Sequence, residues 1–292
     1  MHEIPHKVDF YITNVCNLTC DDCNRFNNLD FRGWQKWSDY ADIYAEWSKK
    51  VQLKAITIMG GEPFLNPTLA DWVQGLNQLF GIEVQILTNG TRFRFAQDLY
   101  PTLLYANPKN NALNHIGVSM HVPSEFETLD ADIRDFLKGP IIVKPKGENH
   151  WNSDWYYQDA NGVVVNVYVQ DRFGSNALTI NQAGQKTLHN SDPSVAHSKC
   201  TFAQFKAYHF IRGKLYKCGP VALLPEFDQQ HSLALPEVDR QLLNSYQPLS
   251  VDNFDSYHQE FFAKLDDPIP QCKFCPERSH QKMIYPVRKG SS

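Results

Sequence analysis

Three cysteines fall within eight residues, Cys16, Cys20 and Cys23 in CNLTCDDCNRF (16–26), and no other follows until Cys200. A structural zinc ion closes with four ligands. Three thiolates in one loop therefore leave three readings: buried thiols, a zinc site completed by a distant Cys or His, or a 4Fe-4S cube with three irons held and the fourth open to an exogenous ligand. A second group has the full count. Cys200, Cys218 and the CxxC of Cys272 and Cys275 in QCKFCPER supply four thiolates, enough for a zinc ribbon or a fully ligated 4Fe-4S cluster. Three plus four accounts for all seven cysteines.

A second motif, TIMGGEPFLNP (57–67), places Gly60 and Gly61 where the backbone can pass close to a ligand and sets the acceptor Glu62 beside them. Two strand ends add polar candidates. They are Thr88 and Asn89 in ILTNGT and Ser119 and His121 in GVSMHV, for which helix capping and turn chemistry is the alternative use. The stretch VKPKGENHWNSDWYYQD (143–159) interleaves Lys144, Lys146, His150 and Asp154 with Trp151, Trp155 and Tyr156. Such a mixture suits stacking on a sugar or base, or packing of aromatics against a domain rim. Arg172 in QDRFG is a candidate for an anionic group, or for a surface ion pair. No residue type or spacing singles out a catalytic base.

The elements that must position these residues alternate in kind. VDFYIT (8–13), KAITIM (54–59), IEVQILT (82–88), NHIGVSMHV (114–122) and NGVVVNVYVQ (161–170) read as strands. Between them, SDYADIYAEWSKK (38–50) predicts a helix capped by Ser38, and NPTLADWVQGLNQLF (66–80) one capped by Asn66 with Pro67 at its first position. RFAQDLYPTLLYA predicts a helix interrupted at Pro101, and PSEFETLDADIRDFLK another. This rhythm defines an α/β fold with a parallel sheet and sites at the carboxyl ends of the strands, as in a full or partial β/α barrel. After about residue 175 the chain turns polar and aperiodic in GSNALTINQAGQKTLHNSDPSVAHSKC, which marks a boundary. The region beyond it is expected to depend on a metal or on the first domain.

Composition narrows the function. With 42% hydrophobic and 21% charged residues and a formal charge of −4, the chain is globular and lacks the basic surface that duplex nucleic acid demands. No apolar run approaches the ~18 residues of a membrane span, and MHEIPHKVDFYITNV lacks a signal peptide's layout. A cytoplasmic protein with no membrane partner is expected, and there an odd number of cysteines points to ligands rather than disulfides.

The CxxxCxxC loop after the first strand, followed by GGEP after the next, resembles the radical S-adenosylmethionine (SAM) enzymes. The resemblance implies a partial (β/α)6 barrel over residues 1–175, comparable to a TIM barrel with fewer strands. It implies that Cys16, Cys20 and Cys23 hold a 4Fe-4S cluster whose open iron is chelated by SAM. By the same resemblance Gly60, Gly61 and Glu62 meet the amino group of SAM, and Thr88, Asn89, Ser119 and His121 approach its ribose or methionine. One residue departs from the family pattern: the position before the third cysteine, usually aromatic or apolar and placed against adenine, is Asp22, leaving that contact to Phe26 or to backbone groups. Behind such a barrel, Cys200, Cys218, Cys272 and Cys275 resemble the twitch domain, the shortened relative of the SPASM extension. Residues 176–292 would then carry an auxiliary 4Fe-4S cluster.

The implied activity is an oxidoreductase. SAM is cleaved to a 5'-deoxyadenosyl radical that abstracts a hydrogen from a polar small molecule, with a two-electron dehydrogenation aided by the second cluster. The alternative is modification of a peptide, protein or nucleotide-derived substrate with a structural auxiliary cluster. Only fifteen residues precede Cys16, too few for the winged-helix module of many peptide-modifying relatives. An external electron donor such as flavodoxin or ferredoxin is implied as partner.

Overall fold

A computed structural model describes residues 1–105, 111–170, 172–174, 176–278 and 282–283. Residue 175, which closes the first expected domain, and the last residues of the second lie outside that set. The strands are β1 (His2–Tyr11), β2 (Val51–Met59), β3 (Val84–Thr88), β4 (His115–Met120), β5 (Ile142–Pro145), β6 (Trp155–Gln158), β7 (Val164–Val169), β8 (Arg172–Phe173), β9 (Leu178–Ile180), β10 (Lys186–Leu188), β11 (Tyr208–Ile211), β12 (Lys214–Tyr216) and β13 (Lys282–Met283). The helices are α1 (Ala41–Lys50), α2 (Leu69–Phe80), α3 (Tyr100–Leu103), α4 (Phe126–Phe136), α5 (Pro193–Ser198), α6 (Thr201–Phe205), α7 (Gly219–His231), α8 (Glu237–Asn244) and α9 (Phe254–Ala263).

Nine strands form one mixed sheet in the order β12-β11-β1-β2-β3-β4-β7-β6-β5. From β11 to β7 every neighbouring pair is parallel, while β12, β6 and β5 join antiparallel, and the ladder runs open from β12 to β5. Alternation along the strands explains what each face does. Val8 and Phe10 of the first strand with Ile12 just beyond it, Ile56 and Ile58 of the second, Val84 and Ile86 of the third, and Ile116 and Val118 of the fourth belong to one apolar core under the helices. The residues between them, Asp9, Thr57, His115 and His209 among others, are buried and polar. A sheet that is polar on its second face must have something polar to cover there, and that face borders the candidate site.

The helices cover the first face by the expected periodicity. In α2, Leu69, Trp72, Val73 and Leu76 are buried at i, i+3, i+4 and i+7, and Gly81 ends the helix in the left-handed conformation at φ 63°. In α1, Tyr44 and Trp47 pack with Phe210 of β11 at ring separations of 5.6 and 4.9 Å. The same pair fixes the β11–β12 hairpin: Trp47 Nε1 donates to the Gly213 carbonyl at 2.8 Å, and the Gly213 amide donates to Tyr44 Oη at 3.2 Å. The two turn residues, Arg212 and Gly213, both have positive φ, 50° and 72°, as a tight hairpin of this hand requires. Residues 208–216 thereby sit in one sheet with the amino-terminal strands.

Several local expectations are corrected. The first turn after Lys36 is a 3-10 turn over Trp37–Asp39, and α1 opens at Ala41 without a cap from Ser38. Helix α2 opens at Leu69, because Asn66 is buried as a bracket instead: its Nδ2 donates to the carbonyls of Ile12 and Gln35 at 3.1 and 2.9 Å, and its Oδ1 accepts from the Thr68 amide at 2.9 Å. The aromatic stretch 143–159 is the β5–β6 hairpin, with Trp155 stacked on Phe126 at 4.0 Å and Trp151 against His115 at 4.8 Å. The polar segment after residue 175 holds the β9–β10 hairpin and α5, which Asp192 caps through the amides of Ser194 and Val195.

Replacing Asn66 by Ala orphans two buried carbonyls and one amide. At ~1–3 kcal/mol for each unsatisfied group, partly relieved by water, Asn66→Ala is expected to lose about 2–4 kcal/mol in urea unfolding. A loss under ~0.5 kcal/mol would show that the bracket does not hold β1 to α2.

Candidate active site: one cavity lined by all seven cysteines

A cavity of about 530 Å³ lies at the carboxyl ends of the parallel strands, and Cys16, Cys20, Cys23, Cys200, Cys218, Cys272 and Cys275 all line it. Gly60, Gly61, Thr88, Asn89, Ser119 and His121 line the same space. Residues spread from position 16 to position 275 are thus brought together, and all seven cysteines are free thiols.

The first group is held by a loop that folds back on itself. The Cys16 sulfur lies 3.5 Å from the Leu18 amide and 3.8 Å from Asn89 Nδ2, both donors aimed at it. Asn27 sits 4.0 Å from the Cys23 sulfur and is fixed by donating to the Asn14 carbonyl at 2.6 Å and to Tyr11 Oη at 3.0 Å. Burial, then the facing Cys23 and Cys16, push the Cys20 thiol well above its ordinary range. Phe26 is not placed for adenine. It has no exposed surface and packs 5.4 Å from Phe227 in a second core, because a left-handed backbone at φ 63° turns it inward.

The glycine pair serves the loop as well as the cavity. The Gly61 amide donates to the Thr13 carbonyl at 2.7 Å and the Glu62 amide to the Val15 carbonyl at 2.8 Å. A Cβ on Gly60 would stand 2.5 Å from the Thr13 oxygen, and one on Gly61 2.2 Å from the Val15 oxygen. Side chains there would push the cysteine loop away. Glu62, in contrast, is fully buried behind the lining residues: Oε1 accepts from Thr88 Oγ1 at 2.6 Å and from the Phe64 amide at 2.9 Å, and Oε2 accepts from the Asn89 amide at 2.7 Å. Burial raises its pKa, and these three donors pull it back. His121 is held by Nδ1 at 2.9 Å from the Gln170 carbonyl and lies 5.1 Å from the Phe173 ring, and burial lowers its pKa.

The second group comes from three separate turns. Cys200 precedes α6, Cys218 precedes α7, and Cys272 and Cys275 flank the end of a 3-10 turn over Pro270–Phe274. Burial and the neighbouring Cys200 push the Cys218 thiol up to about 12, and burial with Cys218, Cys200 and Cys272 raises Cys275 well above its usual value. Thiolates facing one another in so dry a place need a cationic centre between them, and binding of such a centre displaces the protons. The donor set therefore fits a metal centre. Among the described residues no three or more His, Cys, Asp or Glu side chains converge closely enough to hold a single metal ion.

The sequence reading passed over Arg25, Asp9, His209 and Lys217. Arg25 and Lys217 line the cavity, and Asp9 and His209 lie buried behind it. Only Arg25 carried a usable signal, its place two residues after Cys23.

Residues 10–142 match the model of the Radical SAM superfamily. No curated protein matches the chain. Among solved structures, Streptococcus suis SuiB bound to S-adenosylmethionine is 18% identical over 42% of this chain and 27% of that chain, with a TM-score of 0.34. SuiB bound to its precursor peptide SuiA gives 18% identity over 42% of this chain and 26% of that one, again at 0.34. The chain thus spans about a quarter of SuiB's length.

Removal of the Glu62 carboxylate tests whether it clamps the loop. Glu62→Ala leaves three donors without their acceptor and is expected to cost about 2–5 kcal/mol in urea unfolding, with weaker SAM binding following from the loosened loop. Unchanged stability with weakened SAM binding would instead put the carboxylate on the ligand alone.

Proposed function

We propose that the chain is a radical SAM oxidoreductase that dehydrogenates a small polar molecule with the help of an auxiliary 4Fe-4S cluster. The observation that carries this reading is the lining of one cavity by both cysteine groups. Cys16, Cys20 and Cys23 would hold the cluster that binds SAM, and Cys200, Cys218, Cys272 and Cys275 the auxiliary one, in a C-terminal twitch-like domain that begins near residue 176. When bound, these groups supply hydrogen-atom abstraction through SAM and an acceptor for one electron.

The chain's own residues do the rest. Asn89 Nδ2 and the Leu18 amide aim at the Cys16 sulfur and would temper its charge. Gly60, Gly61, Thr88, Asn89 and Ser119 shape the wall where SAM would lie, and Glu62 keeps the first two of those segments in register from behind. His121, fixed on the Gln170 carbonyl, closes the wall at the end of β4. The four-thiolate group has no ligand to spare for substrate, which favours electron transfer over substrate binding for its cluster. Flavodoxin or ferredoxin is the class of donor proposed for the first cluster, in a cytoplasmic setting. No helix among the described residues is long and apolar enough to cross a membrane.

A second reading keeps the radical chemistry but makes the substrate a peptide and the auxiliary cluster structural. Phe205, 76% exposed while lining the cavity, is the observation that favours it, since a small polar substrate has no use for an apolar rim.

An anaerobic assay separates the two readings. Wild type should form 5'-deoxyadenosine above a Cys16→Ala control, and a folded Cys272→Ala, Cys275→Ala variant that retains SAM binding should still form it while oxidised product falls at least tenfold. An unchanged ratio of 5'-deoxyadenosine to product would contradict the electron-transfer role and leave the structural one.

A further inference from the structure

Arg25 is a buried cation whose ion pair with Asp9 is loose. Its side chain is 8% exposed, yet it lines the cavity. The nearest carboxylate, Asp9, is 3.8 Å from Nη2, too far for a hydrogen bond. What Arg25 does touch is weak: Nη2 lies 2.9 Å from the Met59 sulfur, Nη1 donates to Asn24 Oδ1 at 3.4 Å, and Nε has no hydrogen-bond partner. The guanidinium carbon stands 4.9 Å from the centroid of the Phe202 ring. A guanidinium presents five N–H donors in a planar fork that matches a carboxylate or phosphate in two-point contact, and burying it without such a partner is costly.

The surroundings make room for that partner. A Cβ on Gly219, the residue after Cys218, would stand 2.9 Å from Nη1 and 3.3 Å from His209 Nε2, so glycine at this position is what lets the fork reach the space between the two cysteine groups. His209 is fully buried, and burial followed by the Arg25 charge holds it neutral. Asp9 is buried 3.5 Å from His209 Nε2 and 3.4 Å from Lys7 Nζ, so Arg25 shares that single acid with other groups. Among the described charged side chains that line the cavity, Arg25, Lys199, Lys206 and Lys217 stand with one acid, Asp266, which is paired with Lys206 at 2.7 Å.

We infer that Arg25 is a specificity residue that receives a carboxylate or phosphate group of the substrate on the floor of the cavity, between the two cysteine groups. The inference rests on the radical SAM reading and adds the substrate's charge class to it. SAM brings a carboxylate of its own, and Arg25 touches Met59 at the end of β2, beside Gly60, as well as Asp9 of β1 and the start of α7, so SAM affinity is measured alongside anion binding to tell the two carboxylates apart.

The test uses full-length protein loaded anaerobically with iron, sulfide and SAM, with inorganic phosphate and succinate as probes at constant ionic strength. Wild type is expected to bind one of these anions at one site per chain. Arg25→Gln should weaken that binding roughly ten- to hundredfold, the usual value of a charge-assisted contact, while SAM affinity stays within twofold. Arg25→Lys keeps the buried charge and removes only the fork, so it decides the question if Arg25→Gln does not fold, with a fall of about threefold or more expected. Equal anion affinity in wild type and variants, or no anion binding in wild type, would overturn the inference. A loss of SAM affinity that tracks the loss of anion binding would overturn it too, by assigning the fork to SAM's own carboxylate. Failure of wild type to bind SAM would count against the radical SAM reading and is seen separately, before any variant is made.

Discussion

Glu62 has no exposed surface, and its two oxygens meet three donors drawn from two strand ends. The Thr88 hydroxyl and Asn89 amide follow β3, the Phe64 amide follows β2, and Glu62's own amide is committed to the Val15 carbonyl in the cysteine loop. A buried carboxylate is tolerated only where such donors surround it. One residue, by its carboxylate and its own amide, therefore fixes the heights of three segments against one another, and Asn89, held at its amide, is left to aim its side chain at the Cys16 sulfur. The glycine pair belongs to the same constraint, since neither Gly60 nor Gly61 could carry a Cβ with the loop backbone so near. Loosening this point would shift the cysteines and the polar wall together.

The second cysteine group reaches the cavity through apolar packing together with local hydrogen bonds such as that of the Gln271 side chain to the Leu242 carbonyl at 2.9 Å. Helix α7 begins after Cys218 and sends Phe227 against Phe26 and Phe31 at 5.4 and 5.5 Å, so the segment that leaves Cys23 and the helix that leaves Cys218 share one apolar core. At its outer end Arg212 pairs with Glu226 at 2.6 Å, a partly exposed contact of modest value beside the ring packing. Apolar burial of this kind is worth about 1.5–3 kcal/mol for each side chain. The fold thus brings both cysteine groups to one cavity, and a metal centre bound there would balance the charge of thiols that burial otherwise keeps protonated.

Much of the site was legible because chemistry with strict ligand counts leaves its mark in short spacing. CxxxCxxC and GGEP mark the first cysteine loop and the glycine pair by themselves, and the order of β1 to β4, β7 and the helices α1, α2 and α4 follows from hydrophobic period. Other features depended on contacts distant in sequence. The role of Asn66 as a bracket came from the carbonyls of Ile12 and Gln35, which outweighed its local preference to cap a helix. Phe26 looked available because it follows a cysteine, and only a left-handed turn sends it into the core. The 143–159 stretch alternates too irregularly to announce a hairpin. Arg25, Asp9 and His209 stand on different elements and become one cluster only when β11 pairs beside β1, a crossover that no local pattern encodes.

The claim that two cube-type clusters share one cavity is tested most directly by metal and sulfide analysis of the anaerobically reconstituted chain, with the Cys272→Ala, Cys275→Ala variant beside it. The account predicts about eight irons and eight labile sulfides in wild type and about four of each in the variant. About four irons with one zinc in wild type would contradict it, leaving a single cluster and a closed zinc site.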